Sequence, residues 1–283
     1  MTKATLSVLV MGATGRVGRM VRRAWQAAPP DGLTLRYQTR DAGRAEAGDI
    51  LWDPLGNSVP EGRFDRVLSL AGVVPGPGAD VSLNTSLGLA GVRAAQATGA
   101  RRVLLASSQA VYGTRGTRAC REDDPANPDA PYGAAKLKME QACSAAAPPG
   151  LGVTALRIGN VAGADALLLN VAQGRPMQLH QFADGGGPVR SYIGPVDLAR
   201  VLGDLLREDD LPDIVNIAAP TPVTMQALLE AGGTAFEWSV APDDAVQHIT
   251  LNCDALKARH PFDETASLPD AMLAQWDAVK DRT

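Results

Sequence analysis

Three side chains between residues 103 and 136 have the types and spacing of a proton-transfer site: Ser108, Tyr132 and Lys136. Tyr132 and Lys136 are four apart behind Pro131, which suits the first turn of a helix, so the phenol and the ammonium share one helix face. The apolar run from Val103 to Ala106 is short enough to be a buried strand, and Ser108 leaves its carboxyl end, where open α/β sheets gather their ligands. A tyrosine ordinarily titrates near pH ~10, too high for a base at neutral pH. An ammonium about 4 Å away, at an effective dielectric near 20, favours the phenolate by roughly 4 kcal/mol. At about 1.36 kcal/mol per unit, that brings the expected pKa to roughly 7, where a proton shuttle is most effective. The spacing alone also describes a solvated helix face, so the elements around it must decide.

Those elements begin with residues 6–11 (L-S-V-L-V-M), read as a buried strand, then G-A-T-G-R-V-G and an amphipathic helix over 16–27 ended by Pro29-Pro30. A strand, a glycine-rich turn and a helix form a phosphate cradle. Gly12 permits the tight turn, Gly15 lets backbone approach a pyrophosphate, and Gly18 lets the helix pack on the strand. The spacing Gly-x-x-Gly-x-x-Gly differs by one residue from Gly-x-Gly-x-x-Gly, and no Gly-Lys-Ser/Thr ending makes it a nucleoside-triphosphate loop. Residues 33–38 form a second strand ending in Thr39-Arg40-Asp41. Arg40 accommodates the 2′-phosphate of NADP, whereas Asp41 keeps NAD open. Residues 49–53 give a short third strand whose Asp53 lies near the expected adenine. So few residues separate it from Arg40 that the usual crossover helix must be shortened or replaced by a loop. Residues 67–70 give a fourth strand, followed by small residues suited to passing a ribose. After the Pro/Gly-rich loop 75–78, a helical pattern over 81–98 carries Asn84 in its first turns, as a cap or as a group reaching the site.

The pieces G-A-T-G-R-V-G (12–18), S-L-A-G (69–72), Asn84, S-S-Q-A-V-Y-G (107–113) and P-Y-G-A-A-K (131–136) occur together and in order. With them the chain resembles the extended short-chain dehydrogenase/reductases of the NAD(P)-dependent epimerase/dehydratase group. The resemblance implies a catalytic triad of Ser108, Tyr132 and Lys136, completed by Asn84. Ser108 is preferred to Ser107 because it stands four residues before Tyr112 in the family's Ser-x-x-Val-Tyr-Gly pattern. Cofactor contacts are implied at Gly12, Thr14, Gly15, Arg16, Val17, Gly18, Arg40, Asp53, Leu70, Ala71 and Gly72, with Tyr132 and Lys136 on the ribose side. L-R-I-G-N-V-A-G and R-S-Y-I-G-P-V-D-L-A resemble later family segments. They imply substrate contacts at Asn160 and Arg190, beside Ser108 and Gln109, with Arg190 clamping a pyrophosphate. Ser191, Gly194 and Pro195 depart from the second segment's pattern.

The expected fold is α/β: a Rossmann-type doubly wound parallel sheet with a small C-terminal substrate-binding lobe. Residues 1–160 form the dinucleotide-binding core. Residues 161–283 supply late core elements (about 189–219), two or three short helices including an amphipathic run over 267–279, and the lobe. Composition is ordinary for a globular chain of 283 residues, 45% hydrophobic and 20% charged. A net charge of −4 and no basic tract speak against nucleic acid or an anionic membrane as partner. Three cysteines without Cys-x-x-Cys spacing and three scattered histidines indicate neither a disulfide framework nor a metal site. With no leader pattern and no apolar run near the roughly 18 residues of a membrane span, a cytoplasmic protein is expected, a homodimer by analogy. The first functional reading is an NAD(P)-dependent dehydrogenase or reductase acting on a small carbonyl or hydroxyl substrate. The alternatives are a nucleotide-sugar epimerase or dehydratase and a non-catalytic dinucleotide sensor.

Overall fold

The computed structural model describes residues 5–114 and 116–281. β1 (Leu6–Met11) is apolar almost throughout because both its faces are covered, as in a central parallel strand. Val8 and Val10 join one core cluster and Leu9 and Met11 the other, the two-residue alternation of a strand. After Gly12 the chain enters α1 (Arg16–Ala27), which buries Met20, Val21, Ala24 and Trp25. β2 (Leu33–Thr39) and β3 (Ile50–Leu51) are joined by a 3-10 turn at Ala42–Arg44, so the crossover helix is replaced as the short spacing predicts. β4 (Arg66–Ser69) leads to α2 (Leu83–Thr98), stopped by Gly99 in the left-handed region at φ 80°. β5 (Arg102–Ser108), a 3-10 turn and α3 (Pro131–Ala146) follow, then β6 (Gly152–Ile158).

The remaining elements are β7 (Asn160–Val161), α4 (Ala166–Ala172), β8 (Met177–Gln181), β9 (Val189–Arg190), β10 (Tyr192–Ile193) and α5 (Pro195–Arg207). They continue through β11 (Ile214–Ile217), β12 (Val223–Thr224), α6 (Met225–Ala231), β13 (Phe236–Val240), β14 (His248–Ile249), α7 (Asp254–Lys257) and α8 (Pro269–Val279). Sequence patterning anticipates two or three short helices after residue 218, where the chain forms three, but not β12, β13 and β14, because strands this short carry little readable period.

The main sheet is parallel, in the order β11-β6-β5-β4-β1-β2-β3. Strand order reverses between β1 and β4, and this switch point opens a crevice at the strands' carboxyl ends. α1 and α5 pack together on one face, where Trp25 Nε1 donates to the Ala199 carbonyl at 3.0 Å. α2 and α3 pack together on the other face. Gly88 makes that approach close: a Cβ there would meet Met139 Cγ at 2.5 Å and Cys143 Sγ at 2.8 Å. Three small sheets stand outside the main one: β7 with β10, β8 with β13, and β9 between β12 and β14.

A Cβ on Gly18 would stand 2.1 Å from the Gly12 carbonyl oxygen, a backbone atom, so α1 must shift to accept it. At Gly15 the nearest atom would be 3.2 Å away and φ is −72°. Gly18→Ala is therefore expected to cost about 1–3 kcal/mol, and Gly15→Ala to stay within about 0.5 kcal/mol of wild type. Urea unfolding midpoints of the two variants check this; equal midpoints would refute it.

Candidate active site

β5 carries Ser107 and Ser108 to the crevice on alternating faces. Both border the cleft, but Ser107 is 5% exposed and its hydroxyl donates inward to Glu140. The Ser108 hydroxyl accepts from the Ala110 amide at 3.2 Å and shares a hydrogen bond with Tyr132. α3 starts at Pro131, placing Tyr132 in its first turn and Lys136 one turn on. The Lys136 ammonium donates to the Ala106 carbonyl at 2.8 Å and lies 6.0 Å from the centroid of the Tyr132 ring. Burial lowers Lys136 to about 8, opposed by the charge of Glu140.

This geometry corrects the electrostatic expectation for Tyr132. The ammonium is directed at backbone rather than at the phenol, and burial dominates, so Tyr132 lies above its ordinary value despite the Ser108 hydrogen bond. Without a further positive charge the residue is a phenol at neutral pH.

Asn84 is fully buried and acts on the chain rather than on the cleft. Its Oδ1 accepts from the Val73 amide at 3.0 Å, and its Nδ2 donates to the Val73 and Val81 carbonyls, each at 2.9 Å. It thereby ties the segment after β4 to α2. A Cβ on Gly72 would stand 3.0 Å from both Asn84 Oδ1 and Lys136 Nζ, so a side chain here would press on both groups.

The glycine turn is equally tight. Gly12 has φ +75°, and a Cβ there would meet the Ala71 amide nitrogen at 2.4 Å, which fixes Leu70 and Ala71 against the turn. The Thr14 carbonyl accepts from Arg19 at 2.6 Å. Gly15, Arg16, Val17 and Gly18 form one wall of a cleft of about 750 Å³, and Leu70 and Gly72 continue it at the end of β4. Ser108, Tyr132 and Lys136 form its floor. Asn160, Asp165, Asn170 and Arg175 line the opposite side.

Gln109 donates to Asn160 Oδ1 at 2.8 Å and orients that amide, while its own Oε1 is buried without a partner. Arg40 is exposed just past β2, without an ionic partner among the described residues. Asp41 beside it is committed to its turn, accepting from the Gly43 amide at 2.9 Å and pairing with Arg44 at 3.3 Å. Asp53 accepts from the Leu55 amide at 3.1 Å in the turn after β3. Arg190 stands apart: it does not line the cleft. Its guanidinium donates to the carbonyls of Val189 (2.8 Å), Gln247 (2.6 Å) and Val246 (3.1 Å), stapling β9 to the chain entering β14. The expected pyrophosphate clamp is a backbone staple here, because the carbonyls of a remote segment reach it first.

Sequence reading overlooked a buried polar network beneath the floor. Glu140, Ser107 and Arg157 meet there, and Arg157 stacks 4.6 Å over the Tyr112 ring. Glu140 was legible in principle, being one helical turn beyond Lys136. Asp165 and Tyr192, joined by a 2.7 Å hydrogen bond, had no sequence signal.

Residues 8–218 match the sequence profile of the NAD dependent epimerase/dehydratase family. The chain belongs to that family. It is 35% identical over 181 residues to a UDP-glucose 4-epimerase of Azospirillum brasilense, a match spanning 58% of this chain and 51% of that enzyme. It is 28% identical over 312 residues to one of Corynebacterium glutamicum, spanning 96% of this chain and 94% of that enzyme. Among solved structures, the Thermus thermophilus UDP-glucose 4-epimerase in complex with NAD shares the fold. Its TM-score is 0.72 at 22% identity, over 96% of this chain and 99% of that one. TunA, an NAD-dependent NDP-hexosamine 5,6-dehydratase, superposes with TM-score 0.75 at 18% identity, over 98% and 99%. Members of this family are enzymes of the extended short-chain dehydrogenase/reductase type. Among the described residues no helix is long and apolar enough to cross a membrane, and no cluster of three or more His, Cys, Asp or Glu could hold a metal ion.

All four tyrosines lie above their ordinary value, chiefly through burial: Tyr37 and Tyr112 at about 12, Tyr132 and Tyr192 also raised. In cofactor-free protein an ultraviolet titration should show no phenolate below pH ~10. A phenolate absorbance that appears by pH ~8 and is missing in Tyr132→Phe would contradict this environment.

Proposed function

We propose that the protein is a nicotinamide-dependent epimerase acting on a nucleoside diphosphate sugar, with UDP-glucose and UDP-galactose the first pair to test. One observation carries the reading. The cleft whose wall is the glycine turn has Ser108 hydrogen-bonded to Tyr132 beside a buried Lys136, in a chain whose full-length relative is a UDP-glucose 4-epimerase. Sequence alone put a net dehydrogenase or reductase first, and the relatives support the epimerase alternative better. Dehydratases of this family use an acid/base pair next to the serine; Gln109 and Ala110 stand there instead, which favours epimerisation.

The dinucleotide fits the turn. Gly12 and Gly18 face backbone, Gly15 lines the cleft, and the first turn of α1 holds no acidic residue to repel a pyrophosphate. When bound, a dinucleotide would supply reversible hydride-transfer chemistry and, in its oxidised form, a positive charge that would favour the Tyr132 phenolate. Tyr132 would take the proton of the sugar hydroxyl as the C–H bond on the same carbon breaks, and would return it to that oxygen when the C–H bond is remade on the opposite face of the turned sugar. Ser108 holds the reacting oxygen through its hydroxyl. Lys136 serves as the fixed cation of the floor and the holder of the ribose, with Gly72 backbone passing above it. Arg40 supports acceptance of a 2′-phosphate, so NADP is proposed alongside NAD, the dinucleotide in the solved relative. Three buried cysteines without a disulfide fit a reducing, cytoplasmic setting, and a homodimer is proposed by analogy alone.

Extensively desalted protein should release NAD(H) or NADP(H) on denaturation and interconvert the two UDP-hexoses without added cofactor. Protein that binds either dinucleotide but turns over neither sugar would remove the epimerase reading. Tyr132→Phe is expected to lower kcat by roughly 10²–10⁴ and to leave dinucleotide affinity unchanged. Arg40→Ala should weaken NADP more than NAD in a binding titration; equal losses would defeat the 2′-phosphate role.

A further inference from the structure

Lys136 is enclosed by groups that give its charge little help. On α3 it faces Tyr132, Glu140 and Cys143. From β5 it meets the Ala106 carbonyl, and a Cβ built on Gly72 would lie 3.0 Å from both its Nζ and Asn84 Oδ1, so the segment after β4 and the start of α2 stand close by. Among the described residues Glu140 is the one carboxylate whose charge reaches it, and Arg157 of β6 stands behind Glu140.

Glu140 is itself 8% exposed and both its oxygens are engaged. Oε1 accepts from the Ser107 hydroxyl and from Arg157 Nε at 3.2 Å, and Oε2 accepts from Arg157 Nη2 at 2.8 Å. Arg157 lies over Tyr112, whose hydroxyl donates to Asn216 Oδ1 of β11 at 2.7 Å. The carboxylate therefore cannot swing away: three strands and a ring hold it one turn from Lys136. Burying such an ion pair is a poor way to stabilise a fold, since apolar residues of the same volume serve as well. An electrostatic task at the adjacent floor accounts for its presence.

We propose that Glu140 is a positioning residue that keeps Lys136 an ammonium inside the closed site. It touches neither substrate nor cofactor; it acts through Lys136, as a fixed anion supplied from below. Ser107, bound to the same carboxylate, carries the restraint to the strand end that presents Ser108.

The test reads Lys136 directly and needs no substrate or cofactor, so it is independent of the sugar reading. The chain has five lysines, few enough to follow individually by NMR after labelling the ε-carbon. In cofactor-free wild type Lys136 should titrate near pH 8. In Glu140→Gln its midpoint should fall by about one unit, a roughly tenfold loss of ammonium relative to amine. A folded Glu140→Gln protein with an unchanged Lys136 midpoint overturns the proposal. Should that variant fail to fold because Arg157 is left unpaired, Glu140→Gln combined with Arg157→Met removes both charges. The same downward shift is expected, since Glu140 is the nearer charge, and an unchanged or raised midpoint overturns the proposal. A merely structural role would lower the melting temperature without moving this titration.

Discussion

An ammonium buried against backbone is the interaction on which the rest of the site depends. Removing an ion from water costs several kcal/mol even after relaxation, and Lys136 recovers part of that from one carbonyl and one carboxylate. Everything nearby is arranged around this costly charge: glycine at position 72, where a side chain would press on it, Asn84 to hold the passing backbone, and α3 pressed on β5. Such groups mark functional sites, since selection for stability alone would have replaced the lysine with an apolar residue.

The sheet makes the arrangement repeatable. Because β1, β4, β5 and β6 are parallel and in register, their carboxyl ends deliver the glycine turn, residues 70–73, Ser108 and Asn160 to one crevice. Contacts at Gly12 and Gly18 lock the turn by backbone against backbone. Precision therefore comes from atoms common to every residue, and side chains are left for chemistry.

How much of this was legible in the sequence follows the range of the interaction. The main-sheet strands, α1, α2, α3 and the absent crossover helix are local patterns, and they emerged within a few residues of their observed bounds. Ser108, Tyr132 and Lys136 are brought together by elements that sequence alone placed. The protonation state of Tyr132 was not legible, because it depends on burial and on where the ammonium points. Arg190 misled for the same reason: residues 246–247, more than fifty positions away, occupy its donors. Asn84 was read as a cap or a site residue, and its bonds to Val73 show a third use that only the folded chain reveals.

The replacement of the crossover helix between β2 and β3 by a 3-10 turn also bears on how the molecule behaves in a crowded solution. The edge strand it leaves is only two residues long, and Leu51 on it is 60% exposed. A long flat edge bearing such a side chain would invite another chain to add a strand. With two residues there is too little ladder to recruit one, so the open border of the sheet is kept from self-association by brevity rather than by charge.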